Sequence, residues 1–188
     1  MVFRILFLFL ITCSAFGAEV AGVKLPDEEQ KLLLNGAGLR KRAFFQVYVI
    51  GLYLPAKKAA AADVIGTPGA KRIAIHMLRD VGADQFADAL MDGMKDNHAE
   101  AEMKALEPRV KQLAAILGEM KEAKKGMRIT LDWQPAAGTQ VTVEGKGTGA
   151  PIPGEDLYRA LLRIWLGEKP VQDDLKKALL GEMRGEKQ

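Results

Sequence analysis

Apolar positions recur along this chain with two periods, and the switches between them outline its elements. Ala43 to Leu54 (AFFQVYVIGLYL) is rich in β-branched and aromatic residues, with Gln46 as its one strongly polar position. It predicts a long strand, or a strand pair, buried on both faces; Gly51 marks a bulge or bend and Pro55 the end. Arg72 to Leu78 predicts a strand with Ile73, Ile75 and Met77 on one face and Ala74 and His76 on the other. Met127 to Trp133 alternates, with Met127, Ile129, Leu131 and Trp133 inward and Arg128, Thr130 and Asp132 outward. Pro135 to Gly138 turns the chain, and Gln140 to Glu144 returns with Val141 and Val143 inward.

Elsewhere the period lengthens. Phe86, Leu90 and Met94 recur at i, i+4 and i+8, an amphipathic helix running from Ala83 to near Asn97. Pro108 suits the first turn of another helix, with Val110, Leu113, Ala114 and Leu117 as its buried stripe. Gly154 opens a helix carrying Leu157, Leu161, Ile164 and Trp165, closed by Gly167. Pro170 begins a last one, carrying Leu175 and Leu179 and closed by Gly181. Glu19 to Leu34 reads as a lead-in with a turn around Pro26, Asn35 to Gly38 as a turn, Lys57 to Ala62 as a short helix or loop, and Gly66 to Gly69 as a loop. Strands and helices fall in separate blocks. That predicts an α+β fold, a large antiparallel sheet covered by helices on one face. The apolar second face of Ala43 to Leu54 then lies against something else apolar, such as a cavity.

The chain has 188 residues, 48% of them hydrophobic and 27% charged, with mean hydropathy −0.03. These values exclude global disorder and a polytopic membrane protein. The first seventeen residues stand apart. Met1 to Arg4 is a short basic segment, Ile5 to Thr12 is apolar, and Ala15 and Gly17 are small residues at the −3 and −1 positions of a cleavage site. This is the pattern of a secretory signal peptide cleaved near Gly17, which places the protein in the periplasm or medium. Residues 18–188 then form a single domain. The apolar run is shorter than the roughly 20 residues of a membrane span. Leu10 to Cys13 has the shape of a lipobox, apart from Thr12, so lipidation at Cys13 is the alternative processing. Membrane contact is expected only through this leader.

Net charge is +3, too near balance for a nucleic-acid partner. The glycines of Gly36 to Gly38 and Gly145 to Gly149 have neither dinucleotide nor P-loop spacing; they read as flexible turns, and no cofactor is implied. His76 and His98 are the only histidines and do not make a metal site. The single serine, Ser14, and single cysteine, Cys13, both lie in the leader, so the domain has no serine or cysteine nucleophile. Asp132, Glu144, Glu155 and Asp156 fall on outer strand faces or first helical turns, where solvation and capping explain them. There remain Arg40, Lys41 and Arg42, just before the most hydrophobic strand. They are either a solvated basic loop or the mouth of the cavity, where Gln46, Tyr48 and Ile50 alternate inward. In the second case an arginine fork and the Tyr48 hydroxyl can hold an anionic head group, with its tail in the apolar interior.

NGAGLRKR from Asn35, VYVIGLYLP from Val47, IHMLRD from Ile75, GEDLY from Gly154 and IWLGEKPV from Ile164 together resemble the bacterial chalcone isomerase-like proteins. The resemblance covers roughly Gly22 to Gly181 and implies an open-faced β-sandwich. It also implies one of two activities: flavanone ring closure, as in plant chalcone isomerases, or fatty-acid binding, as in non-catalytic relatives that hold the carboxylate with an arginine and a tyrosine. Arg40 matches the arginine, with Arg42 as a substitute because the loop to the next strand is shorter here. Tyr48 falls where the isomerases carry threonine and the binders tyrosine. Phe86 falls on the isomerase tyrosine, and Gly93 on the asparagine. The resemblance therefore implies a binding protein for a fatty acid or similar anionic amphiphile with site residues Arg40, Arg42, Tyr48 and Phe86. An isomerase or lyase acting on an unsaturated carbonyl compound is the alternative.

Overall fold

The computed structural model describes residues 16–182; the leader up to Ala15, including Cys13, and the tail from Met183 lie outside them. The chain runs β1 (Phe16–Val20), β2 (Val23–Pro26), β3 (Glu28–Glu29), β4 (Leu32–Arg42), β5 (Phe45–Leu54), α1 (Ala61–Gly66), β6 (Lys71–Met77), β7 (Val81–Gly82), α2 (Ala83–Asp96), α3 (Glu100–Gly118), β8 (Glu122–Ala123), β9 (Arg128–Gln134), β10 (Gly138–Val143), β11 (Lys146–Ile152), α4 (Glu155–Leu166) and α5 (Asp173–Leu179). Seven strands form one antiparallel sheet in the order β11-β10-β9-β6-β5-β4-β3. The fold is α+β, a large antiparallel sheet with helices packed on it, as the block pattern predicted.

Tyr48 and Ile50 of β5 and the inward residues predicted for β6, β9 and β10 do form the main core, together with Phe86, Leu90 and Met94 of α2 and the stripe of α4. The second face of β5 does not line a cavity. Val49 and Tyr53 pack there with Leu25 of the β1–β2 hairpin, Leu34 and Ala74.

Three segments differ from expectation for physical reasons. Asn35 to Gly38 is not a turn; it lies inside β4, with an irregularity in the register at Asn35. The Asn35 side chain donates to the Leu179 carbonyl at 2.7 Å, tying β4 to α5. A Cβ at Gly38 would sit 2.6 Å from Leu175 Cδ1 and one at Gly36 would strike the Ala178 carbonyl, so these glycines serve the close approach of α5. Gly147 and Gly149 likewise belong to an edge strand, β11, where Gly149 (φ +68°) is overlain by Ile116 of α3. Pro108 sits in the interior of α3. That helix starts eight residues earlier than Pro108, at Glu100, because Glu102 accepts the backbone N–H of Ala99 at 3.0 Å and closes the first turn. Pro170 also precedes its helix, which starts at Asp173.

The largest departure is on the sheet face away from the helices. Asp132 was expected in solvent, yet it is only 8% exposed and Arg72 only 6%. Register makes Tyr53, Arg72 and Asp132 neighbours across β5, β6 and β9. Arg72 forks onto Asp132 (Nε to Oδ1 2.6 Å, Nη2 to Oδ2 2.9 Å) and donates through Nη1 to Glu29 of β3 at 2.8 Å. Arg128 also donates to Glu29, and the Thr130 hydroxyl to Asp132 at 3.0 Å.

His76 stands beside this network, paired across the sheet with Arg128. Burial, and then the Arg128 charge, push its imidazole below the ordinary value of 6.5, against smaller opposing effects of Glu29 and Glu144. The unfolded chain therefore binds this proton more readily than the folded one. The contribution is complete above the unfolded value and shrinks as pH falls below it. His76→Gln is expected to flatten the decline in urea midpoint between about pH 7.5 and 5.5; an unchanged slope would show that the imidazole is not responsible.

Candidate ligand-binding cleft

The β4–β5 hairpin reverses through a two-residue turn, Ala43 and Phe44, which sets Arg40 directly opposite Tyr48. Directly opposed residues of an antiparallel pair project from the same face, here the helix face. One step toward the turn the register shifts, Lys41 pairing with Gln46, so that Val47 is the extra residue. The bulge breaks the alternation expected through Gln46, Tyr48 and Ile50: Gln46 is exposed, while Val47 turns inward beside Tyr48.

Between this end of the hairpin and α2 lies a cleft of about 990 Å³. Its interior surface includes Val47, Tyr48, Phe86, Leu90, Ile164 and Val171. All four predicted site residues, Arg40, Arg42, Tyr48 and Phe86, line it. They are not equivalent. Tyr48 and Phe86 are buried, Arg40 is half-buried and Arg42 is exposed on the rim. The opposite rim carries Asp88, Asp92 and Asp96 of α2, spaced i, i+4 and all exposed. The strand wall is thus basic and the helix rim acidic, which directs an anionic group toward Arg40.

Arg40 is anchored through one nitrogen. Its Nη1 donates to the carbonyls of Lys41 at 2.8 Å and Val171 at 2.9 Å and lies 3.5 Å from Gln172 Oε1. The Gln172 side chain braces the same turn, accepting from Lys41 N at 2.9 Å and donating to the Leu39 carbonyl at 3.1 Å. Tyr48 is held by a residue that periodicity placed only in the core: Trp165 Nε1–H donates to its hydroxyl oxygen at 3.0 Å. The one available signal was chemical, since a buried indole N–H needs an acceptor. With that bond accepted, the Tyr48 O–H proton is free to point elsewhere. Burial raises the phenol pKa above its usual 10, outweighing the Trp165 bond and both the charge and the hydrogen bond of Arg40, so at neutral pH it is a donor. Tyr48→Phe would strand the indole N–H, at a cost of about 1–3 kcal/mol in folding stability measured by urea titration; a smaller loss would mean that the hydroxyl does not hold Trp165.

Two positions offer no polar group to a ligand. Phe86 is apolar, and Gly93 sits so close to α4 that a Cβ there would lie 2.8 Å from Ile164 Cγ2. Among the described residues, no group of three or more His, Cys, Asp or Glu side chains could hold a metal ion, and no helix is long and apolar enough to cross a membrane. His98 serves a local purpose, its Nδ1 lying 2.7 Å from the Met94 carbonyl at the end of α2.

Residues 17–181 match the chalcone isomerase-like family along nearly their whole length. The chain belongs to this family. No curated protein matches it. Among solved structures, the chain is similar to a fatty-acid binding protein of Arabidopsis thaliana, with a TM-score of 0.64 and 16% identity over 85% of this chain and 92% of that one. At that identity the likeness is one of fold. The donor set of the cleft is Arg40 and Tyr48 on the strand wall, with none from Phe86 or Gly93.

Proposed function

We propose that the chain is an exported, non-catalytic binding protein for a fatty acid or similar anionic amphiphile. The observation that carries this reading is the opposition of Arg40 and Tyr48 at the buried wall of the cleft. A carboxylate there accepts two parallel N–H bonds from Nε and Nη2 of Arg40 and one O–H bond from Tyr48, a bidentate charge-assisted arrangement. Val47, Phe86, Leu90 and Ile164 offer apolar surface for the chain of the ligand. The volume sits at the upper end of the roughly 300–1,000 Å³ of small-molecule sites. The fatty-acid binding described for the Arabidopsis structure supports the same ligand class.

Enolate-forming cyclisation needs donors aimed at charge that develops on the substrate oxygens. Phe86 and Gly93 supply none, which favours binding over isomerisation. Native mass spectrometry of protein purified without detergent is expected to show a bound acyl species, and incubation with chalcones is expected to leave their conjugated absorbance unchanged. Protein that is empty and takes up no fluorescent fatty acid at micromolar concentration would overturn the binding reading, and loss of the absorbance would replace it with catalysis.

Export rests on the leader pattern. Cleavage after Gly17 keeps the β1–β2 pairs Ala18–Leu25, Glu19–Lys24 and Val20–Val23, so the hairpin that covers β5 survives processing. The mass of the amino-terminal peptide from a periplasmic extract tests this against acylation at Cys13.

A further inference from the structure

The β4–β5 turn presents its side chains in an unusual way. Phe44 is 100% exposed and Phe45 is 58% exposed; among the described residues, Leu33 is the only other large hydrophobic side chain that is exposed. The turn itself is strained to hold this sequence: Ala43 has φ +51°, the left-handed region ordinarily left to glycine or asparagine. Water gives no reason to place a phenylalanine at such a tip.

The surroundings are cationic. Lys41 and Arg42 flank the turn in sequence, and the Arg79 guanidinium stacks on the Phe45 ring, 4.4 Å from its centroid. Leu78 N donates to the Val47 carbonyl at 2.9 Å, and Asp80 accepts the backbone N–H of Lys125 at 2.7 Å, so the segment carrying Lys124 and Lys125 closes on the same end of the sheet. Lys41, Arg42, Lys124 and Lys125 are all exposed. Asp80 and Glu122 are the acids on this side, and the five cations outnumber them; Asp88, Asp92 and Asp96 stand across the cleft on α2, so the positive excess is confined to the hairpin side. The end is therefore an aromatic tip in a basic collar, and Arg42, Phe45 and Arg79 are shared with the rim of the cleft.

We propose that this tip docks on the surface of an anionic phospholipid bilayer. Phe44 enters the boundary between head groups and acyl chains while Lys41, Arg42, Arg79, Lys124 and Lys125 meet the phosphates. Apolar insertion and a basic patch are two weak signals that together give stable but reversible attachment. Charge complementarity selects the bilayer over a second copy of this chain, because two such collars repel. Docking in this pose sets the hairpin side of the mouth on the membrane and turns the acidic α2 rim away from it, so that an amphiphile passes between bilayer and protein along the basic wall. That last step rests on the function proposed above; the docking does not.

Cleavage after Gly17 removes only Phe16 and Gly17 of β1 from the described elements and leaves both described apolar clusters whole, so the protein freed of its leader is the form to test. It is expected to float with vesicles of phosphatidylcholine mixed with phosphatidylglycerol, much less with phosphatidylcholine alone, and to be released by about 1 M salt, where screening is nearly complete. Phe44→Ala should lower the partition coefficient about tenfold, and Lys41→Gln about fivefold. Neither residue lines the cleft, so both variants should bind a fluorescent fatty acid in vesicle-free solution as the parent does. Flotation that is absent, indifferent to lipid charge or untouched by Phe44→Ala overturns the proposal. So does self-association that depends on Phe44 without vesicle binding, which would make the tip a contact between copies. Fatty-acid uptake that fails while flotation persists rejects the ligand reading and leaves the docking in place.

Discussion

Asp132→Ala is expected to destabilise the fold by about 3–5 kcal/mol, a large part of the roughly 5–15 kcal/mol available to a domain of this size. The residue looks expendable, a short acid on the outer face of a strand. In the structure its carboxylate takes both the Nε and Nη2 bonds of an arginine that is 6% exposed. Removing it leaves the Arg72 charge buried with Glu29, which Arg128 already shares. The cost is that of an uncompensated charge, not of one lost contact. Replacing both partners together, Arg72→Met with Asp132→Leu, should therefore recover most of the loss, because an apolar pair of similar volume needs no compensation. Urea midpoints of the two single variants and the double variant separate these effects. A single variant within about 1 kcal/mol of the parent would mean that solvent reaches the pair.

Arg40→Ala should weaken binding of a fluorescent fatty acid by about ten- to a hundredfold, the worth of charge-assisted hydrogen bonds of about 1.5–3 kcal/mol. Arg42→Ala should cost far less. Its side chain stands exposed on the rim, where screening reduces its pull on an anion. Arg40→Lys distinguishes fork from charge: lysine keeps the cation but loses the planar pair of donors, so partial recovery is expected. Arg40 also ties the hairpin to the Val171 carbonyl, so each variant needs a urea titration beside the binding curve. Equal losses from Arg40→Ala and Arg42→Ala would move the head group out to the rim.

Most elements were legible in the sequence, and so was the α+β class. The alternation of β6 and β9 and the 3.6-residue period of α2 and α4 report directly which side of each element meets the core. Turn composition was less reliable. Glycines that serve a close approach, as at Gly36, Gly38 and Gly149, have the same local signature as glycines that turn the chain. Pro108 misled similarly, because a Glu102 cap and a buried stripe on both sides carry α3 past it.

The site divides along the same line. Arg40, Arg42, Tyr48 and Phe86 are all legible in the sequence as candidates, three from their place around an apolar strand and from resemblance, Phe86 from resemblance alone, and all four line the cleft. Their unequal standing is not legible there. Residue period gives the face on which a side chain lies, whereas the cross-strand register, the bulge at Val47 and the packing of α4 set what stands opposite it. Those are contacts between distant segments, 117 residues apart for Trp165 and Tyr48 and 131 for Arg40 and Val171. By itself the sequence determined the elements, their inward faces and the chemical types available to a ligand. Only the tertiary structure decided that Trp165 holds the Tyr48 hydroxyl and that Arg72 and Asp132 are buried together, because burial and pairing arise when distant surfaces exclude water between them.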